Sequence, residues 1–105
     1  MKTVITSTGN AISAAFDLRF GRAAWFCLFD QESGRIEFLK NEQGHLNSGA
    51  GTRTAEKMIE LGVDRIISGD FGPKVKEMME KFEIQLVVLQ DVNQSIKDII
   101  EKIRG

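Results

Sequence analysis

Residues 62–73 have the sequence Gly62-Val63-Asp64-Arg65-Ile66-Ile67-Ser68-Gly69-Asp70-Phe71-Gly72-Pro73, which contains the signals for one short strand between two helices. Gly62 suits the left-handed position just past a helix end. Ile66-Ile67 forms the apolar centre of a strand over residues 64–68. Pro73 fits the first turn of a second helix, because its missing N–H costs nothing there. Strands separated by helices pair in parallel through right-handed crossovers, so the stretch predicts an α/β sheet.

Three amphipathic helices are predicted from apolar residues spaced i, i+3, i+4 and i+7. The first helix starts at Arg53 and has the core face Ala55, Met58, Ile59 and Gly62. The second, opened by Gly72-Pro73, has the core face Val75, Met78, Met79 and Phe82. The last, capped by Asp91 or Asn93, has the core face Ile96, Ile99, Ile100 and Ile103. Between the second and third helices, the wholly apolar run at 86–89 predicts an interior strand.

The first 40 residues predict three more strands. Residues 2–7 form a short strand that ends in a turn cluster, and residues 23–29 are nearly continuously apolar, which indicates a strand buried on both faces. Residues 36–40 form a strand whose polar Glu37 and Lys40 indicate a sheet edge. The element order is then β-β-β-α-β-α-β-α, which predicts one three-layer α/β domain over residues 1–105.

Composition excludes several classes of protein. The 105 residues are 42% hydrophobic and 28% charged, which is typical of a globular domain. A formal net charge of −1 gives no general attraction to nucleic acid or anionic membrane, so neither is an expected partner. Met1-Lys2 leads directly into a strand, and we expect no targeting segment or membrane helix. Cys27 is the only cysteine, which excludes an internal disulfide and favours a reducing, cytoplasmic location.

A polar loop contains two arginines, in the sequence Asp17-Leu18-Arg19-Phe20-Gly21-Arg22. Guanidinium groups stay charged and bind planar, multi-oxygen anions through a fork of donors. In open α/β sheets, ligands collect beyond the carboxyl ends of the parallel strands, and this loop can reach that edge. The alternative interpretation is a solvated pair, or a local ion pair between one arginine and Asp17.

Glycines precede two helix starts, Gly49 and Gly51 before the first and Gly69 and Gly72 before the second, and they leave backbone amides open to an anion. No phosphate-binding lysine loop, dinucleotide fingerprint or nucleophile–base pair is present. The only histidine, His45, lies in the polar loop 41–51 and is expected to be exposed. Cys27 lies among apolar strand residues and is best explained as a small core side chain.

The chain resembles the dinitrogenase iron–molybdenum cofactor biosynthesis family, which includes NifX-like proteins and the C-terminal domain of NifB. The resemblance spans essentially the whole chain. It rests on Arg19-Phe20-Gly21-Arg22-Ala23 before an aromatic strand, Asn41 after the third strand, Gly49-Ala50-Gly51 at the first helix, and Gly62-Val63-Asp64, Gly69-x-x-Gly72-Pro73 and Ile84. It implies a ribonuclease H-like fold, a five-stranded mixed sheet of order 3-2-1-4-5 with strand 2 antiparallel and three helices.

The resemblance also implies a function. Family members bind a preassembled anionic iron–sulfur or iron–molybdenum-type cluster without catalysing a reaction, so this chain is expected to be a cluster carrier or scaffold and not an enzyme. The expected cofactor-binding residues are Arg19, Phe20, Gly21, Arg22, Asn41, Gly49, Gly51, Gly69 and Gly72. His45 and, as second choice, Cys27 are the metal-ligand candidates, since many relatives have histidine where this chain has Arg19. Cluster donor and acceptor proteins are the expected partners of a monomer or weak homodimer. The alternative is a metal-free adaptor that binds a protein or a small anionic metabolite.

Overall fold

The structure is a computed structural model that describes residues 1–46 and 48–104. Residue 47, inside the predicted loop 41–51, and residue 105 lie outside the described part. Eight elements follow in the predicted order: β1 Lys2–Ser7, β2 Trp25–Asp30, β3 Ile36–Lys40, α1 Ala50–Glu60, β4 Arg65–Ser68, α2 Pro73–Lys81, β5 Gln85–Val88 and α3 Ile96–Arg104. Among the described residues, no helix has the length and apolar character needed to cross a membrane.

The five strands form one mixed sheet in the order β3-β2-β1-β4-β5. β2 is antiparallel to both β1 and β3, whereas β4 is parallel to β1 and to β5. The predicted three-layer α/β architecture, strand order and antiparallel second strand are therefore confirmed. The edge position predicted for β3 is confirmed as well.

The sheet separates two cores, because neighbouring residues on a strand point to opposite faces. Val4, Phe26 and Ile66 pack against α1 and α2 on one face, and Ile5 and Cys27 belong to the cluster that includes the isoleucines of α3 on the other. The predicted helix spacing is confirmed for most of these contacts. Met58, Met79 and Ile96 are fully buried.

Two helix boundaries differ from the prediction. α1 begins at Ala50, earlier than the predicted Arg53, because Gly49 takes a left-handed conformation (φ 75°) and starts the helix there. Phe82 is 57% exposed and outside the core, because α2 ends at Lys81. The chain then reverses through Glu83, which has a φ of 56°, and Ile84 is the buried residue.

β5 is an edge strand, contrary to the interior position predicted from its apolar sequence. The crossover from β4 through α2 places it beside β4, and among the described strands none pairs with its other side. Leu86 packs on the core under α1 and α2, and Val87 packs on the core under α3. The run is therefore apolar because helices cover both faces of the strand, although one of its edges is open. Val88 remains 56% exposed.

The cap of α3 also differs from the prediction. The capping residue is Ser95, and not Asp91 or Asn93. Asp98 N–H donates to Ser95 Oγ (3.1 Å), and Ser95 N–H donates in return to Asp98 Oδ2 (3.0 Å). Asp91 instead accepts from Asn93 N–H (2.9 Å) and from the Gln94 side chain, which closes the turn before the helix.

Met1 and the last turn of α3 lie close together near the start of β1. The backbone N–H of Gln31, just after β2, donates to the Met1 carbonyl (3.0 Å), and the Gln31 side chain donates to the Ile103 carbonyl (3.1 Å). Arg104 also lies over the ring of Phe29, 5.4 Å from its centroid. Met1 and the last turn of α3 are therefore held at the same end of the molecule.

Candidate functional site

The loops at the opposite end of the sheet surround the candidate site. β1, β4 and β5 end there at Ser7, Ser68 and Val88, and β2 starts there because it runs antiparallel. The arginine loop, defined as residues 17–22, therefore lies beside the β4–α2 turn and the start of α1.

The arginine loop is anchored to the sheet beside two buried hydroxyl groups, those of Thr6 and Ser68. Thr6 Oγ1 donates to the Asp17 carbonyl and lies 2.9 Å from Ser68 Oγ, and Asp17 N–H donates to the Thr6 carbonyl (3.0 Å). Thr6 and Ser68 are fully buried at the ends of β1 and β4. The loop is thus tied at Asp17 to the two central strands.

Arg19 forms a local ion pair, one of the two outcomes expected from the sequence. Its Nε and one terminal nitrogen donate to the two carboxylate oxygens of Asp17, each at 3.0 Å, and its backbone N–H also donates to Asp17 Oδ1 (3.0 Å). The Asp17 side chain is only 4% exposed. Hydrogen bonding and the negative charge of Asp17 raise the pKa of Arg19 above its ordinary value. Much of the charge of Arg19 is neutralised within the loop.

Both arginine side chains are exposed, and Arg22 is the one without a carboxylate partner among the described residues. Its one hydrogen bond to a described residue runs from a terminal nitrogen to the carbonyl of Gly44 (2.8 Å), an uncharged acceptor. Its positive charge therefore stays available to an anion, while the bond joins the arginine loop to the loop after β3. His45 follows Gly44 directly and is exposed, as expected.

The arginine loop packs closely against the start of α1 and the β4–α2 turn at three residues, Phe20, Gly21 and Gly69. Phe20 is buried, with its ring centroid 5.2 Å from that of Phe71. A Cβ on Gly21 would lie 2.7 Å from the Cα and N of Gly51, and one on Gly69 would overlap the backbone of Leu18. The backbone at Arg19 also pairs with Asp70 in an isolated parallel bridge. These glycines are needed for packing, whatever the ligand.

An open cleft of about 620 Å³, here called the main cleft, lies between the arginine loop and the starts of α1 and α2. Gly49, Gly51 and Gly72 line it, together with Arg22 and Lys74. Neither Gly49 nor Gly72 provides a side-chain cap, and neither helix has an acidic residue in its first turn. Helix starts carry partial positive charge and N–H groups without a partner inside the helix. Two helix starts and two cationic side chains therefore contribute positive charge to the main cleft.

A second opening of about 390 Å³, the side cleft, adjoins the main cleft. The two share Phe20, Gly21, Arg22 and Asp70, and the side cleft adds Arg19 and Gly69 to the lining. The structure therefore brings eight of the nine predicted cofactor-binding residues to two connected openings. The acidic side chain of Asp70 at their junction is the one negative charge among the residues lining the two clefts.

Asn41, a predicted cofactor-binding residue, lines neither opening, and the predicted ligand His45 is likewise outside the lining of both. The side-chain nitrogen of Asn41 donates to the carbonyls of Gly21 (3.0 Å) and Ala23 (2.8 Å), and its oxygen accepts from Gln43 N–H (2.9 Å). It therefore positions the arginine loop and the loop after β3 relative to each other.

Cys27 does not fit the role of metal ligand that the sequence left open for it. It lies in the middle of β2, fully buried in the core under α3, and burial raises the pKa of its thiol to about 12. A ligand thiol must ionise and reach the metal. Within residues 1–46 and 48–104, no group of three His, Cys, Asp or Glu side chains is placed to hold a metal ion.

Lys74 is the site residue that sequence reasoning missed. A signal was present, because helix starts favour acidic residues and α2 begins with Pro73-Lys74. A cation at this position does not favour the helix itself, and Lys74 is among the residues that line the main cleft.

Residues 1–105 match the family described as dinitrogenase iron–molybdenum cofactor. The apo form of the orange protein from Desulfovibrio gigas is similar in structure, with 25% identity and a TM-score of 0.86 over 97% of this chain and 85% of that one. A Thermotoga protein described as NifB-like and placed in the DUF35 family has 22% identity and a TM-score of 0.80, with the same coverage of both chains. No curated protein matches the sequence.

Proposed function

Because the chain belongs to the dinitrogenase iron–molybdenum cofactor family, we propose that it is a non-catalytic carrier or scaffold for an anionic iron–sulfur or iron–molybdenum-type cluster. The observation that carries the proposal is the main cleft, where Arg22, Lys74 and two uncapped helix starts face one open volume. Cluster donor and acceptor proteins are the partners that such a carrier requires.

The cleft favours an anion over a bare metal ion. Two cationic side chains and the N–H groups of two helix starts line it beside a single carboxylate, that of Asp70. Hard metal ions prefer several oxygen ligands and soft ones prefer thiolates, and the lining offers neither set. A preassembled cluster brings its own sulfide and a net negative charge, and the N–H groups of a helix start suit that charge. Charge and hydrogen bonds would then hold the cargo, with Arg22 and Lys74 as the main cationic contacts.

His45 is the side chain that we propose as an additional direct ligand. It is exposed and follows Gly44, whose carbonyl is held by Arg22, so it lies in a loop that is already joined to the arginine loop. An imidazole nitrogen is a common ligand for iron and other transition metals. Replacement of His45 by Ala is therefore expected to alter the spectrum of bound cluster more than its affinity.

The test is anaerobic reconstitution of purified protein with iron and sulfide, followed by absorbance and by analysis of metal and acid-labile sulfide. Wild-type protein is expected to gain charge-transfer absorbance, and Arg22→Ala and Lys74→Ala are each expected to weaken it. Lys81→Ala is the matched control, because Lys81 is an exposed cation at the other end of α2. Equal retention by all four proteins would exclude the main cleft as the binding site.

A metal-free adaptor is the second candidate, favoured by the lack of a metal-ligand group among the described residues. In that case the same cleft binds a small anionic metabolite or an acidic segment of a partner. Inorganic phosphate would raise the Tm of wild-type protein and not that of Arg22→Ala, while reconstitution would give no charge-transfer absorbance. The two results together separate the candidates.

A further inference from the structure

An opening of about 350 Å³, here called the edge cavity, lies between α1 and the end of β3. It shares no lining residue with the main cleft or the side cleft. Its volume is near the lower limit for small-molecule pockets, which span about 300–1,000 Å³. The edge cavity therefore has room for a ligand about the size of a substituted aromatic ring.

Four apolar side chains line the edge cavity. Phe26 and Leu39 are partners in the pairing of β2 with β3, and α1 contributes Met58 and Leu61. Phe26 and Met58 are buried, whereas Leu39 and Leu61 are partly exposed. This lining suits the apolar part of a ligand, because the transfer of apolar surface out of water is favourable.

A buried hydroxyl group in the same lining lacks a hydrogen-bond partner. Thr54 is 1% exposed, and its Oγ1 has no partner among the described residues. Threonine inside a helix commonly donates to a carbonyl three or four residues earlier, and Thr54 does not. Thr54, Met58 and Leu61 are spaced i, i+4 and i+7, so Thr54 lies on the face of α1 that borders the cavity. Because an unpaired buried hydroxyl is unfavourable, a ligand atom that accepts its proton would be stabilised there.

The charged residues of the lining give the edge cavity a net positive charge. They are Lys40, Glu42 and Lys57, two cations and one anion. Lys57 follows Thr54 by three residues, a spacing that makes two side chains neighbours on a helix surface. Within the described part of the chain, Lys57 forms no ion pair. An ammonium group donates only and a hydroxyl can donate, so the two side chains suit one group with two acceptor oxygens.

We propose that the edge cavity is a second ligand site, which binds a small carboxylic acid with an apolar body. The Thr54 hydroxyl donates to one carboxylate oxygen, and the Lys57 ammonium supplies the opposite charge. The apolar body lies against Leu39 and Met58. The ligand thus provides the hydrogen-bond partner that Thr54 lacks within the described chain.

Asn41 connects the edge cavity with the arginine loop. It is part of the cavity lining, and its side chain donates to the carbonyls of Gly21 and Ala23. A bound acid would therefore contact a residue that positions the arginine loop. Thr54 and Lys57 line neither the main cleft nor the side cleft, so the inference stands independently of the proposed function.

An NMR titration with benzoate tests the site, because benzoate combines one ring with one carboxylate. Benzoate is expected to shift the amide resonances of residues 39–43 and 54–61 in a saturable manner. Benzyl alcohol keeps the ring without the charge, and acetate keeps the carboxylate without the ring, so each should shift these resonances much less at equal concentration. Binding of anions in the main cleft is followed separately at residues 69–74. Absence of benzoate shifts at 39–43 and 54–61, or equal shifts with benzyl alcohol, would overturn the proposal.

Two variants test the roles of the polar side chains. Thr54→Val keeps the shape of the side chain and removes the hydroxyl, so benzoate should bind about tenfold more weakly while the Tm is unchanged or higher. Lys57→Gln should weaken binding by about two- to fivefold. Arg53→Gln is the matched control, because Arg53 is an exposed cation of α1 outside the lining, and it should bind benzoate as wild type does. Undiminished binding by Thr54→Val would show that the hydroxyl does not contact the ligand and would refute the proposal.

Discussion

The carboxylate of Asp17 is nearly inaccessible to solvent, and Arg19 is the side chain that neutralises it. Arg19→Ala removes two hydrogen bonds to this buried charge and should lower the free energy of unfolding by about 1–3 kcal/mol. Arg22→Ala, in the same loop, should change it by less than about 0.5 kcal/mol, because Arg22 bonds an uncharged carbonyl at the surface and its loss leaves no buried charge unpaired. Urea unfolding of the two variants measures this difference, and equal losses would contradict the division of roles between the arginines.

The Cys27 thiol predicts a pH dependence of stability. Burial raises its pKa to about 12 from an ordinary value of 9.0, so the unfolded chain loses this proton first as the pH rises. The contribution to stability is complete below pH 9.0 and is lost between the two pKa values, by at most about 1.4 kcal/mol per pH unit. Unfolding of wild type and Cys27→Ala at neutral pH and near pH 10.5 isolates it, since the variant lacks the thiol. A constant difference between the two proteins would contradict the prediction.

At the scale of elements, the start of α3 depends on Ser95. Its hydroxyl accepts from Asp98 N–H, while the Asp98 carboxylate accepts from Ser95 N–H, and these bonds lower the pKa of Asp98. Ser95→Ala is expected to lower the free energy of unfolding by about 1 kcal/mol. Asn93→Ala is the control, because the Asn93 side chain takes no part in this pair of bonds. Urea unfolding would show the prediction wrong if both variants lost the same stability.

The elements that sequence predicts well are those whose core faces repeat with a regular period. Met58, Met79 and Ile96 lie at helical spacing and are buried, as periodicity requires. Periodicity does not report where a helix stops, so Phe82 continued the pattern of α2 although the helix had ended. It also does not report neighbours in the sheet, and β5 looked like an interior strand because helices cover both of its faces.

The candidate site was predicted through residue types more than through contacts. Arginines and glycines near the carboxyl ends of parallel strands indicated the edge of the sheet at which the two clefts lie. Which arginine would be neutralised depended on the burial of Asp17, a tertiary property that the sequence left as an alternative. Lys74 was missed because its significance comes from the meeting of two helix starts.

At the scale of the whole molecule, stability and ligand binding are expected to be separable. Ile100 is buried in the core under α3, on the face opposite α1 and α2. Ile100→Ala should lower the free energy of unfolding by roughly 2–5 kcal/mol. Under conditions where the variant remains folded, its charge-transfer absorbance per molecule after reconstitution should equal that of wild type. A loss of absorbance proportionally larger than the unfolded fraction would show that the two faces of the sheet are coupled.

Because Gln31 contacts both Met1 and Ile103, the first residue and the last turn of α3 lie at the pole of the molecule opposite the main cleft. An affinity tag, a fluorophore or a surface tether attached at either end would hold the protein with its cleft directed outward. Immobilised protein would then present the main cleft and the side cleft to the solution in one orientation. This geometry suits biosensor measurements of the cluster binding and transfer that are proposed for the main cleft.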